Sequence, residues 1–112
     1  MGLTKTYNKL RTKERKIYRE SLSIHFNNLT TAQRKSARIQ LFIKQDGCCR
    51  ICGKPEKDMK RKLHLDHCHI TGHIRGLLCN ACNLLLGIAK DNVYTLQSAE
   101  RYLQESTELR FV

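Results

Sequence analysis

Two Cys-x-x-Cys pairs, Cys49/Cys52 and Cys79/Cys82, bracket a histidine-rich run from His64 to His73 that contains Asp66, His67, Cys68 and His69. Each pair can present two thiolates to one point, and zinc takes four such soft ligands tetrahedrally. The 26 residues between Cys52 and Cys79 exceed the common spacing of about 15–20, as an inserted hairpin would make them. Cys48 also stands at an acceptable ligand distance from Cys52, but Cys49 repeats the two-residue gap of the second pair and is preferred. Cys68 reads as a packed, unliganded thiol. A different chemistry suits the residues inside the brackets. Hydrolysing a phosphodiester needs an acceptor for a water proton, a cation to spread charge on the phosphoryl oxygens, and help for the departing oxygen. The imidazole of His67 titrates near neutrality. The Asp66 carboxylate and the Asn83 amide oxygen are hard donors of the kind Mg²⁺ takes.

These groups need elements to hold them. Leu63 to His67 alternates like a strand, Thr71-Gly72 marks a turn, and His73 to Leu78 reads as the returning strand. Asn80 to Ile88 is short and apolar and opens a helix. Strand, strand, helix would put Asp66 and His67 at one rim, facing Asn83 across a groove. Upstream, the pattern from Thr12 to Phe26 predicts a helix that Asn27-Asn28 breaks. A second helix follows Thr30, with Gln33 completing a capping box and Ala37, Leu41, Phe42 and Ile43 forming its apolar stripe. Asp46-Gly47 ends it. Asp91-Asn92 caps a last helix whose face of Val93, Leu96, Ala99 and Leu103 is expected to cover the core. The first dozen residues read as a frayed lead-in.

Charge divides the chain unevenly. Of a net +11 over 112 residues, residues 1–44 carry 11 Lys/Arg against 2 acidic groups, and residues 45–112 carry 10 against 8. The expected organisation is therefore a basic, mostly helical DNA-binding extension over residues 1–47 and a zinc-clamped domain over residues 48–112. A block this basic is a footprint for a phosphate backbone, with salt-sensitive affinity. So small a core needs a staple. The opening residues lack the apolar run of a signal peptide and no segment is long enough to span a membrane. A reducing cytoplasm then favours metal over disulfides.

Asp66-His67-x-His69, Thr71-Gly72, Arg75-Gly76-Leu77-Leu78-Cys79-Asn80-x-Cys82-Asn83 and Gly87 together resemble the recombination endonuclease VII group of phage proteins, within the His-Me finger (HNH) nucleases. The resemblance covers roughly residues 49–103. It implies a small α+β fold, with a ββα-metal core clamped by a four-cysteine zinc site, a basic helical N-terminal extension and a C-terminal helix. It implies that His67 is the general base, with His69 in support. Asp66 and Asn83 would hold one catalytic Mg²⁺ or Mn²⁺, and Cys49, Cys52, Cys79 and Cys82 the structural zinc. Two positions depart from the family pattern. Cys68 stands where an acidic residue is common, and Leu86 stands where the junction-resolving member has a functional glutamate.

The function so implied is a metal-dependent DNA endonuclease leaving 5′-phosphate and 3′-hydroxyl ends, acting in the cytoplasm of an infected bacterial host. Nicking or cutting of duplex DNA, as by a small free-standing or homing HNH enzyme, is the first expectation, with a monomer ahead of a homodimer. The rivals are a junction-resolving endonuclease, against which Leu86 and the short tail count, and a non-catalytic zinc-ribbon DNA-binding module.

Overall fold

The computed structural model describes residues 12–21 and 23–109. The frayed lead-in expected over the first dozen residues falls almost wholly outside them, as does Leu22. Helix α1 (Thr12–Ser21) stops short of the predicted Phe26. The Ser21 hydroxyl donates to Tyr18 O at 2.6 Å, a local bond that competes with helix continuation. The chain then forms a 3₁₀ turn at Phe26–Asn28.

Helix α2 (Thr31–Lys44) carries the expected capping box: Gln33 N donates to Thr30 Oγ1 at 3.1 Å and Thr30 N to Gln33 Oε1 at 2.8 Å. It ends where Asp46 and Gly47 adopt φ of 55° and 69°, a left-handed pair that glycine tolerates at little cost. Ala37, Leu41 and Ile43 are buried, whereas Phe42 is exposed and rests on Gly47. Arg38, on the same helix, is paired. Its guanidinium donates to Glu56 Oε2 at 2.8 Å and to Leu63 O, and Glu56 Oε2 also accepts from Leu63 N at 2.7 Å.

Strands β1 (His64–His67) and β2 (Ile74–Leu78) form a two-stranded antiparallel sheet, and helix α3 (Asn80–Ile88) follows directly. The predicted order of strand, strand and helix is present. The sheet's free edge is not left bare. Gln45, the C-cap of α2, donates from Nε2 to Leu77 O at 2.9 Å and accepts from Leu77 N at Oε1, also at 2.9 Å. Its amide thus pairs with β2 as a neighbouring backbone would, satisfying groups that an edge strand otherwise exposes. Gly76 makes room, since a β-carbon there would lie 3.0 Å from Gln45 Oε1.

The core joins Tyr18, Ala37, Leu41, Leu63, Leu77 and Leu78 to Cys49, Cys79 and Cys82. Three of its members are therefore clamp residues. Helix α4 (Val93–Leu109) corrects one expectation. Its apolar face does not cover this core: Val93 is 59% exposed and Leu103 64%. The consecutive left-handed residues Lys90 and Asp91, with φ of 54° and 56°, redirect the chain after α3. The core is already closed by α2 and the sheet.

Candidate active site and metal centre

The four clamp sulfurs converge. The ligand atoms of Cys49, Cys52, Cys79 and Cys82 all lie within 4.8 Å of one another, and Cys52 Sγ is 3.8 Å from Cys79 Sγ. A tetrahedron with metal–sulfur bonds of about 2.3 Å has edges of roughly 3.8 Å, so the donor set fits a single ion such as zinc. The first turn is built as a knuckle: Gly53 N donates to Cys49 O and Cys49 N to Lys54 O, both at 2.9 Å, with Gly53 at φ 77°. In the second, Cys79 is the N-cap of α3 and its sulfur accepts from Cys82 N at 3.4 Å.

Burial pushes the Cys49 thiol up, but hydrogen bonds from the backbone of Cys79, Cys52 and Ile51 outweigh it and bring the pKa down to about 6. Cys82 is pushed up to about 12, by burial first and then by its neighbouring sulfurs. A charge on Cys49 thus opposes one on Cys82. A divalent cation is what lets such a cluster carry more. Cys48 stays apart, with its thiol turned to Asp46 O at 3.3 Å. Cys68 is likewise outside the cluster and accepts from Thr71 N at 3.5 Å.

Asp66 and His67 end β1, and the ladder slips between them: Asp66 pairs with Gly76 but His67 with Ile74. The extra residue on β2 is Arg75, left opposite the Asp66–His67 step by a β-bulge, which re-aims its side chain. Arg75 Nε meets Asp66 Oδ2 at 2.7 Å and Nη2 meets Oδ1 at 3.2 Å, while Asp91 Oδ1 lies 3.4 Å from Nη2. Asp66 is only 7% exposed. Arg75 is thus one half of an ion pair.

The His69 ring lies 4.9 Å from that of His67. Burial, then the neighbouring His69, holds His67 below its ordinary 6.5, with Asp66 pulling the other way. Asn83 is half-buried on the first turn of α3. Helix α3 packs against both strands, but among the described residues no hydrogen bond joins Asn83 to Asp66 or His67.

The chain matches the recombination endonuclease VII family over residues 12–105. It belongs to that family. It is also 42% identical over 69 residues to the Gene 59 protein of Mycobacterium phage D29, covering 61% of this chain and 41% of that one. With the Gene 59 protein of Mycobacterium phage L5 it shares 42% identity over 65 residues, 57% of this chain and 39% of the other. It thus spans about two fifths of the length of these curated relatives. No solved structure matches it.

The endonuclease VII match begins well upstream of the cysteines, and the structure brings that part of the chain against His67. Phe26 stacks on His67 with ring centroids 4.0 Å apart. Neither Phe26 nor Arg34, which lies over it, was marked by any spacing. His67 is far from Phe26 in sequence, and no local pattern announces such a contact. Leu86, one of the two departures from the family pattern, lines a cleft of about 170 Å³ together with Asp66, Arg75 and Arg50. Among the described residues no helix is long and apolar enough to cross a membrane.

Proposed function

We propose that this member of the endonuclease VII family is a metal-dependent DNA endonuclease of His-Me finger type. It hydrolyses phosphodiesters to 5′-phosphate and 3′-hydroxyl ends in the infected host's cytoplasm. The observation that carries the reading is His67, an imidazole held below 6.5 by burial and by His69 on the first strand of a hairpin that leads into a thiol-capped helix. Neutral at pH 7, it accepts a proton from the attacking water. His69 supports it from 4.9 Å.

Asp66 and Asn83 supply a carboxylate and an amide oxygen, a hard donor pair that fits Mg²⁺ or Mn²⁺. Such an ion, when bound, would stabilise charge on the phosphoryl and leaving oxygens. Asp66 is paired with Arg75, and a cation held by Asp66 and Asn83 would have to share or displace that guanidinium. The structural ion is assigned to Cys49, Cys52, Cys79 and Cys82. Exposed Arg34, Lys35, Lys57, Lys60 and Arg61 supply contacts to the DNA backbone, which position the substrate without reading sequence.

A second reading, branched DNA as the substrate, is favoured by the extent of the family match, which takes in α1 and α2 as well as the clamp. The test is cleavage of supercoiled plasmid, linear duplex and four-way junction with Mg²⁺, with Mn²⁺ and with chelator, alongside the mass in solution. Metal-dependent cutting of the plasmid and the duplex supports the simple endonuclease. Cutting confined to the junction by a dimer supports the second reading. Binding to all three without cutting in any metal would leave a zinc-ribbon binding module.

A further inference from the structure

The segment between α1 and α2 is fastened to the hairpin that carries His67. Phe26 N donates to Gly72 O at 2.9 Å, in the turn between β1 and β2. Phe26 O accepts from Arg34 Nη2 at 3.1 Å, and the Arg34 guanidinium lies 4.3 Å from the centre of the Phe26 ring, a cation–π contact. Beside it the His25 ring fills the space over Gly72, where a β-carbon would come within 2.2 Å of it. Held in this way, the Phe26 ring lies parallel to the His67 imidazole, with centroids 4.0 Å apart and planes within 2°.

We propose that Phe26 is a positioning residue for His67, fixing the plane in which the imidazole meets the attacking water, and that Arg34 in turn fixes Phe26. The argument is one of geometry. The terminal torsion of a histidine is broad and intrinsically poorly fixed, and a general base acts only within a narrow range of approach. A flat aromatic face removes rotation out of its own plane while leaving the ring edge, which carries both nitrogens, free to meet water. The N-terminal extension therefore completes the catalytic site as well as carrying charge. This inference rests on the endonuclease reading.

The test uses the full chain and reads the stack in two ways. In single-turnover cleavage of labelled duplex and junction DNA with Mn²⁺, Phe26→Ala is expected to lose about 10–10²-fold in rate while DNA affinity stays within about threefold. Phe26→Tyr keeps the flat face and should stay within about threefold of wild type. In nuclear magnetic resonance spectra, the His67 ring protons of the wild type should be shifted upfield by the facing ring. They should move downfield in Phe26→Ala and stay in place in Phe26→Tyr.

The proposal is overturned if Phe26→Ala cleaves at the wild-type rate or faster, the latter marking a ring that blocks the base. It is overturned equally if Phe26→Tyr loses as much as Phe26→Ala, or if the His67 ring protons do not move. A wild type that shows the upfield signature but cleaves nothing overturns the endonuclease reading and the positioning role together. Equal cleavage by wild type and Phe26→Ala overturns the positioning role alone.

Discussion

Arg75 grips Asp66 with two guanidinium nitrogens, at 2.7 and 3.2 Å, across a β-bulge that leaves Arg75 without a partner in the ladder. The carboxylate proposed to bind a catalytic cation is thus stored as one half of an ion pair. Any cation arriving at Asp66 competes with a guanidinium already there.

Arg75→Gln should therefore do two opposite things. It leaves a carboxylate that is 7% exposed without its charge partner. The cost is about 1–3 kcal/mol, between the values for surface and buried pairs, because the arginine side chain is 34% exposed. It also removes the competing cation and should tighten Mn²⁺ binding. Denaturant unfolding measures the first effect and calorimetric titration with Mn²⁺ the second. Unchanged Mn²⁺ affinity would place the ion away from Asp66.

Removing the clamp ion should unfold the domain instead of merely silencing it, because Cys49, Cys79 and Cys82 belong to the core itself. Structural zinc contributes on the order of 10 kcal/mol in small domains. Elemental analysis should find one zinc per chain, and a strong chelator should abolish the folded circular dichroism signal. Cys79→Ser should lose the ion and also weaken the thiol cap on Cys82 N. Cys48→Ser, whose thiol lies outside the cluster and donates to Asp46 O, should keep both metal and fold.

Gln45 makes a narrower prediction. Its side-chain amide forms two hydrogen bonds with Leu77 and one with Cys48 O, so Gln45→Leu leaves the Leu77 N–H unpaired beside the sheet, while the Leu77 carbonyl keeps its bond from Arg50 N at 3.1 Å. The expected loss is about 1–3 kcal/mol, read from the denaturant midpoint at unchanged slope. An unaltered midpoint would show that water satisfies this edge equally well.

How much of this was legible in the sequence follows from distance along the chain. The Thr30–Gln33 capping box and the Asp46-Gly47 stop are each set by residues a few positions apart, and both stand where local chemistry put them. The cysteine spacing alone points to Cys49 over Cys48, and Cys49 is the one in the cluster. The pairing of Arg75 with Asp66 was not legible, because it depends on a one-residue slip in register that no alternation reveals. Nor was the end of α1, where the chain leaves the helix at Ser21 and Phe26 goes on to a partner at Gly72. The face of α4 has a helical period, but a period says which residues share a side and not what lies opposite them.

The pH dependence follows from His67. Burial and His69 hold it below 6.5, so the neutral, proton-accepting form persists as the pH falls to that value, and cleavage should decline only below it. Stability runs the same way. As pH falls through 6.5, the unfolded chain takes up a proton that the folded imidazole resists, so stability is lost toward acid and not toward base. A rate profile at saturating metal checks this. An acid limb centred above 6.5 would contradict the assignment of His67 as the base in this environment.

The most direct test of the central claim compares wild type with His67→Ala in plasmid and junction cleavage, both proteins zinc-loaded and equally folded. Loss of the general base should slow cleavage by about 10²–10⁴-fold while DNA binding is kept. Equal rates for the two proteins, or no metal-dependent cleavage by the wild type on any of the substrates, would contradict it.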